Sequence, residues 1–375
     1  MKLVEIHILQ TVGPNNLNRD DTNSPKDAMF GGYRRARISS QAQKRAVRRA
    51  FKDLSVFPSG SNLPPENLAV RTKRILERLS DRLVALGHGK EEALEAAENA
   101  LNAAGLGTKE GKTEYLLFLG ETEVERLAQV IHERFQDLLG QEKKGKKAGD
   151  AKIKKAVEAV LDGGKAVDLA LFGRMLADRP ELNVDAAAQV AHALSTHRVD
   201  REFDYYTAVD DLNPKEETGA GMVGDVEFYS ATLYRYAVVD LEKLKENLQN
   251  DTDLAVQGLV AFLRAFALTL PSGKQNGFAA HNPPLFVAIR AGEGMPLNLL
   301  TAFEKPVPLP PRNGQSVAEA SRDRLLKERE KFEKVYGPLR SQWEAVMDAT
   351  GETPEGSLKE VLEKAEEAAR ALLGG

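Results

Sequence analysis

Apolar and polar side chains alternate from Lys2 to Val12, with Leu3, Glu5, His7 and Leu9 set against Val4, Ile6, Ile8 and Gln10, which predicts a first strand. Gly13 to Tyr33 breaks the pattern. It is polar and turn-rich, with Pro14, Asn15, Asn16, Pro25, Gly31 and Gly32, and loops of that length are commonly functional. Arg34 to Ile38 reads as a short second strand, and Ser39 or Ser40 caps a helix running to about Leu54. Helical periodicity then dominates: residues 64–194 read as almost wholly helical, with amphipathic stretches near 64–86, 90–104, 121–139, 151–161 and 184–194. Strand character returns at Phe203 to Val209 and at Val226 to Val239, either side of a Gly-rich loop from Asp210 to Asp225. Helices follow at 240–249 and 252–269, then a strand at Leu285 to Arg290. Beyond a linker from Pro306 to Pro311 come helices near 317–347 and 356–373. No internal repeat is evident. Strand-containing ends around a helical insertion make an α+β layout rather than a regular βαβ series.

A chain of 375 residues holds two or three folding units and is long enough to bury a core without staples. The absence of cysteine excludes disulfides, thiolate metal sites, iron–sulfur clusters and cysteine nucleophiles together. No apolar run approaches a membrane span and Met1 to Val12 has no signal-peptide core, so a cytoplasmic protein without membrane contact is expected. The net charge of −4 argues against a nucleic-acid partner, but the distribution reverses that impression. Ala28 to Lys52 carries eight basic side chains and no acidic one, a cationic island on an acidic protein.

That island sits on the helix from Ser40. Val47, Ala50, Phe51 and Leu54 form a core-facing stripe, and Arg45, Arg48, Arg49 and Lys52 repeat the spacing two positions earlier, on nearly the opposite face. Solvated faces usually mix signs, and like charges at i, i+4 repel, so four cations without an anion point to bound phosphates. Upstream, Gly31 and Gly32 permit close backbone approach, Arg34 and Arg37 can fork onto phosphates, and the helix start offers free N–H groups.

Other patterns carry less. Gly219-Ala-Gly221-Met-Val-Gly224 matches a dinucleotide motif but precedes a strand where that fold needs a helix. The run at Gly140 to Asp150 resembles a P-loop without its hydroxyl residue and reads as a lysine-rich surface loop, and Gly111-Lys112-Thr113 lacks the first glycine. His132-Glu133 begins a zincin-like motif that Gln136 breaks. For catalysis, Asp20 and Asp21 with His7 or His281 are the available groups. The stronger reading of the two aspartates is that they order the long loop through Asx hydrogen bonds and arginine pairing. His192 and His197 read as structural. Phe203, Tyr205, Tyr206, Phe228, Tyr229, Tyr234 and Tyr236 can stack bases or fill a core, and their spacing favours core for at least half.

Several segments together resemble the CasC family, which supplies the backbone subunit of type I-E CRISPR Cascade complexes. They are His7-Ile-Leu-Gln10, Leu17-Asn18-Arg19-Asp20-Asp21, Pro25-Lys26-Asp27-Ala28, Phe30-Gly31-Gly32, Arg34 to Gln41, Lys44-Arg45, Leu169-Ala-Leu-Phe-Gly173-Arg174-Met175, Ala191-His192-Ala193, Thr196-His197, Tyr206 to Leu212, Tyr234-Arg235-Tyr236 and Gly273-Lys274-Gln275. The matches run in order over most of residues 5–285; the lysine-rich stretch and the last 70 or so residues carry none.

The resemblance implies a right-hand shape. An RNA-recognition-motif-like (ferredoxin-like) palm would take residues 1–57 and 195–345, helical fingers 58–194, a β-hairpin thumb 210–227, and a C-terminal helix 346–375. It implies a non-catalytic subunit, with no cofactor and no metal, that polymerises along a guide RNA (crRNA). Partners would be further copies of itself, target DNA through the guide, the large and small subunits, the repeat-processing endoribonuclease and the 5′-handle-binding subunit. The RNA-binding set would be Asn18, Arg19, Lys26, Arg34, Arg35, Arg37, Ser39, Ser40, Gln41, Lys44, Arg45, Arg48, Arg49, Arg174, Met175, Lys274 and Gln275, with Met175 and the pair Met222-Val223 as apolar wedges beside a displaced base. Residues 210–227, glycine-rich and poor in apolar surface, are expected to be mobile in the free subunit and ordered on assembly. Two other readings stay open: a metal-dependent ribonuclease using Asp20, Asp21 and a histidine, and a DNA-binding regulator reading duplex with the helix 40–54.

Overall fold

A computed structural model describes residues 1–139, 148–162, 164–176, 179–208 and 222–374. In chain order, β1 (Lys2–Asn15), β2 (Asp27–Phe30), β3 (Tyr33–Ile38) and α1 (Ser40–Ala50) come first. An insertion follows with β4 (Ala69–Thr72), α2 (Ile75–Ala85), α3 (Lys90–Ala103), β5 (Thr108–Lys109), β6 (Lys112–Thr113), β7 (Leu117–Gly120), α4 (Glu121–Glu133), α5 (Phe135–Leu138), α6 (Ala148–Val160) and α7 (Val167–Phe172). The chain then forms β8 (Ala188–Val190), β9 (Ala193–Ser195), β10 (Glu202–Ala208), β11 (Met222–Asp240), α8 (Leu241–Asn247), α9 (Thr252–Leu268), α10 (Gln275–Phe278), β12 (Phe286–Glu293), α11 (Val317–Tyr336), β13 (Arg340–Asp348) and α12 (Leu358–Gly374).

Nine of the described strands form one antiparallel sheet in the order β13-β12-β1-β11-β9-β3-β2, with β8 and β10 also paired to β11. β1, rich in β-branched residues, lies at its centre and is covered on both sides. Val4, Ile6 and Ile8 pack beneath α1, α9 and α12 with Val47, Phe51, Phe262, Phe266 and Val361. Leu3 and Leu9 face the other way, with Tyr234, Tyr236, Phe286, Phe303 and Leu325 of α11. The insertion has its own core, in which Ala93, Ala96, Ala97 and Ala100 let α3 pack closely on Ile75, Leu79 and Leu83 of α2.

The polar half of the alternation in β1 is therefore buried rather than solvated. Glu5 accepts from Tyr236 Oη (2.6 Å) and pairs with Arg290 (3.0 Å), whose guanidinium also reaches Glu333 of α11. His7 lies between Tyr234 and Tyr236. Tyr234 Oη accepts from Leu299 N–H and lies 2.9 Å from His7 Nδ1, so the ring shares one hydrogen bond with that hydroxyl. Burial, with Arg290 and Arg329 nearby, depresses its pKa to about 3.

Three expectations about elements change. Residues 184–194 form β8 and β9 instead of a helix: the alanine-rich run is ambiguous in propensity, and the open edge of β11 supplies backbone partners that decide it. The sheet thus already takes up residues 188–195, and the expected boundary at 194 falls inside it. The stretch 64–86 begins with β4, paired to β7, before α2. The helix expected over 317–347 stops at Tyr336, where Gly337 at φ 84 and Pro338 end it, and β13 becomes the sheet's edge. The expected C-terminal helix is α12, which packs on α9 within the main core.

His7 makes folding stability acid-sensitive. Its folded pKa lies below the unfolded value of 6.5, so its contribution is complete above 6.5 and is lost as pH falls toward 3. Urea denaturation should show about 2 kcal/mol lost from this group between pH 7 and pH 5, at about 1.4 kcal/mol per unit. His7→Gln should flatten the pH slope whatever its absolute stability. An unchanged slope would show that the ring is not held neutral.

Candidate nucleic-acid interface

α1 starts where Ser39 Oγ accepts the Ala42 N–H (3.3 Å) while Ser39 N–H donates to Asn18 Oδ1 (2.8 Å). Its buried side carries Val47, followed by Phe51 and Leu54, and the polar Gln43. The Gln43 amide donates to Ala191 O (2.9 Å) and accepts from Arg235 Nε (3.2 Å), which fixes the roll of the helix. The other side presents Gln41, Arg45, Arg49 and Lys52 exposed, with Lys44 and Arg48 half-buried. None of these five cations forms an ion pair among the described residues. Burial lowers the pKa of Lys44 and of Arg48; the Arg48 guanidinium lies 5.2 Å above the Phe118 ring.

Grooves flank this ridge. On one side Asn18, Arg19, Arg45, Arg49 and Lys274 line a groove of about 700 Å³ against the loop 269–274. That wall stands close because Gly273 has no side chain: a Cβ there would lie 2.4 Å from Leu17 O. On the other side Gln41, Lys44, Arg45, Arg48, Arg71 and Met175 line a second groove of about 570 Å³. It opens toward a third, of about 980 Å³, where Arg45, Arg48, Arg49, Lys52 and Arg71 meet Asp168. Met175 stands on the rim, 86% exposed. Arg71 escapes the sequence reading because 64–86 looked helical; the β-rich Val70-Arg71-Thr72 was the available signal.

Several expected site residues have other work. Arg35 is fully buried and donates to the carbonyls of Ser195 (2.9 Å), Phe303 (2.7 Å) and Glu304. Arg174 is buried as well, on Glu123 (2.9 Å) and the carbonyls of Leu161, Leu182 and Phe118. Both are corrections: side-chain charge alone does not tell an inward arginine from an outward one. Gln275 closes its own loop, accepting Ala280 N–H and donating to Ala280 O. Asn18 and Ser39 hold each other, and the Ser40 N–H meets His192 Nδ1 (3.3 Å). Arg34 pairs with Asp27 (2.5 Å), Arg37 donates to Asp27 O (3.1 Å), and Lys26 is half-buried nearby. Gly31 and Gly32 do not cradle a ligand. With φ of 59° and 83° they form the two-residue turn joining β2 to β3, and a Cβ on Gly31 would strike Glu304 O.

The expected thumb is described only at its base. β10 pairs with the start of β11 from Glu202↔Phe228 to Ala208↔Met222, and Arg201 ties that base to Asp27 (2.9 Å) and Glu227 (3.0 Å). Val223, Phe203, Tyr205 and Tyr206 are exposed on it, whereas Tyr229, Tyr234 and Tyr236 are core. Residues 209–221 lie outside the described residues, as does the expectation of their mobility; Met222 is placed through its backbone only.

Of the groups weighed for catalysis, Asp20 and His7 are engaged structurally. Asp20 Oδ1 accepts from Thr22 N–H, Thr22 Oγ1 and Ser24 N–H, which hold its pKa down. Arg19 reaches Asn23 rather than the aspartates. His197 accepts Thr232 N–H at Nε2 and donates from Nδ1 to Arg198 O.

Comparison with known proteins agrees with this architecture. The model of the CT1975-like protein family matches residues 4–372. Among solved structures, a chain of a pre-nicking CRISPR RNA-guided surveillance complex is 30% identical, with 98% of this chain and 100% of that one covered and a TM-score of 0.82. A chain of another CRISPR RNA-guided surveillance complex is 25% identical, with 98% and 99% covered and a TM-score of 0.72. No curated protein matches in sequence. The α+β fold is thus one shared with subunits of such assemblies. The chain belongs to the CT1975-like (CasC) family, the non-catalytic backbone subunits of type I-E Cascade.

The two classes of arginine should separate on mutation. Arg174→Ala leaves Glu123 buried without its guanidinium and should cost about 3–5 kcal/mol in urea denaturation. Arg49→Ala should stay within about 0.5 kcal/mol of the parent, as surface changes do. Equal losses would mean that the ridge is part of the folded framework.

Proposed function

We propose that this chain is the repeating backbone subunit that holds a guide RNA by its sugar–phosphate chain, leaving base edges free to pair with target DNA. The observation that carries it is the row Lys44, Arg45, Arg48, Arg49 and Lys52, which has no carboxylate partner among the described residues and lies between grooves. Such a row grips phosphates without reading sequence. Asn18, Arg19, Lys26, Arg34, Arg37, Ser39, Ser40, Gln41 and Lys274 border it, and Met175 with Val223 supplies exposed apolar surface to sit against a displaced base.

The order of β1, α1, β8–β9, β11, α9 and β12, with strands arranged β12-β1-β11-β9 and both helices on one face, supports reading the sheet as a ferredoxin-like palm. On that reading the insertion after α1 is the fingers, and the β10–β11 hairpin is the base of the thumb around 210–227. Partners are the crRNA, target DNA through the guide, further copies of this chain, the large and small subunits, the repeat-processing endoribonuclease and the 5′-handle-binding subunit. A duplex-reading role for α1 has less support, because the helix is sunk between walls rather than projecting as a groove reader does.

Replacing Arg45, Arg48 and Arg49 together by alanine should abolish stable retention of single-stranded RNA while circular dichroism stays native. Each lost phosphate contact should flatten the log–log salt dependence by about 0.7. An unchanged affinity and slope would reduce the ridge to a solvated face. Deleting 214–224 should spare monomer stability and weaken ordered assembly on RNA, read by sedimentation; unaffected assembly would remove the thumb assignment.

A further inference from the structure

One buried carboxylate has no place in a simple phosphate grip. Asp168 is 2% exposed at the floor of the largest groove, beside Arg48, Arg71 and Ala69. Its Oδ1 accepts the N–H groups of Ala69 (2.8 Å) and Leu169 (3.1 Å). Its Oδ2 has no hydrogen-bond partner among the described residues, and the residue lines the groove. Burial raises its pKa to about 7 even against the backbone N–H groups and the Arg48 charge, which favour the ionised form.

In its ionised form that acceptor disfavours a phosphate, since two anions would repel in a low-dielectric groove. What fits is a neutral donor a short reach from phosphates held on Arg45, Arg48 and Arg71. Two kinds of such donor exist on a single strand, the ribose 2′-hydroxyl and the N–H groups of bases, amino and ring. The second differs from base to base, whereas the first recurs at every nucleotide and matches a site that must accept any sequence. We propose that Asp168 accepts a hydrogen bond from a ribose 2′-hydroxyl of the bound strand and so makes the groove select RNA over DNA. This rests on the reading of the α1 grooves as the guide-RNA path. A charge-assisted hydrogen bond of this kind is strong, and the 2′-hydroxyl is what distinguishes the two nucleic acids at one site.

The test uses the full chain, a single-stranded RNA, its 2′-deoxy and 2′-O-methyl counterparts of the same sequence, and a second RNA of unrelated sequence. The parent protein should prefer RNA over both modified strands by about tenfold, the loss expected when a charged acceptor is left unpaired. Asp168→Ala should bring the three affinities together. Asp168→Asn, which keeps the acceptor for the Ala69 N–H, should fall between and provides the readout if the alanine variant does not fold. A role confined to electrostatics or packing would move all strands equally and leave the ratios unchanged, and that result overturns the proposal. So does a loss that follows base sequence and ignores the 2′ position. If the parent protein binds no RNA at all, the guide-strand reading fails first. Binding that is intact but shows no 2′ discrimination refutes only the role of Asp168.

Discussion

A single buried guanidinium holds the functional helix in place. Arg235, on β11, is 1% exposed and pairs with no carboxylate among the described residues; it donates instead to Gln10 of β1 (2.7 Å), to Gln43 of α1 (3.2 Å) and to the carbonyls of Phe266 (2.5 Å) and Thr269 at the end of α9. The last carbonyls of a helix have no partner within it and sit at the negative end of its dipole, so a cation there satisfies both needs. Burial brings the pKa of Arg235 down to about 9, which still leaves it charged at neutral pH. One side chain therefore joins the central strand, the cationic helix α1, and the end of α9 from which the groove wall 269–274 departs.

The same logic divides the arginines of the protein. Arg35, Arg174, Arg235 and Arg290 are buried, and their donors are directed at carbonyls or carboxylates within the fold. Removing a partner from such a site leaves an uncompensated group in low dielectric, which is costly, so these residues specify geometry. Arg45, Arg48 and Arg49 form no ion pair among the described residues, and their field reaches the grooves. A net charge of −4 coexists with a cationic ridge because the charge is unevenly distributed, with eight basic and no acidic side chains from Ala28 to Lys52.

The tertiary arrangement turns a helix face into a site. Alone, α1 is an amphipathic helix with a cationic stripe. It gains walls because the loop at Gly273 closes against Leu17 on one side, while β4, Phe118 and the Arg174–Met175 turn close on the other. Arg174 shows how the insertion is locked to this task. Its guanidinium is consumed by Glu123 and three carbonyls, and that rigid anchor leaves the next residue, Met175, standing free on the rim.

Much of this was legible in the chain. The alternation of Lys2 to Val12, the Ser39 cap, the stripe of Val47, Phe51 and Leu54, and the opposed stripe of Arg45, Arg48 and Arg49 are local periodicities, and local periodicity is what a sequence encodes directly. The Asx turn at Asp20 and the hairpin base at 202–208 follow from equally short-range chemistry. Three things needed the assembled structure. The fates of Arg35 and Arg174 depend on carbonyls more than 50 residues away from Arg174 and 160 away from Arg35. The strand character of 188–195 depends on the free edge of β11. The carboxylate of Asp168 shares a groove with Arg48 and Arg71 only because α7 and β4 pack together. By itself the sequence determined which residues lie on one face of one element. Which of those faces meets protein and which meets solvent was decided by long-range pairing, because burial and hydrogen-bond satisfaction belong to the whole fold and not to any segment of it.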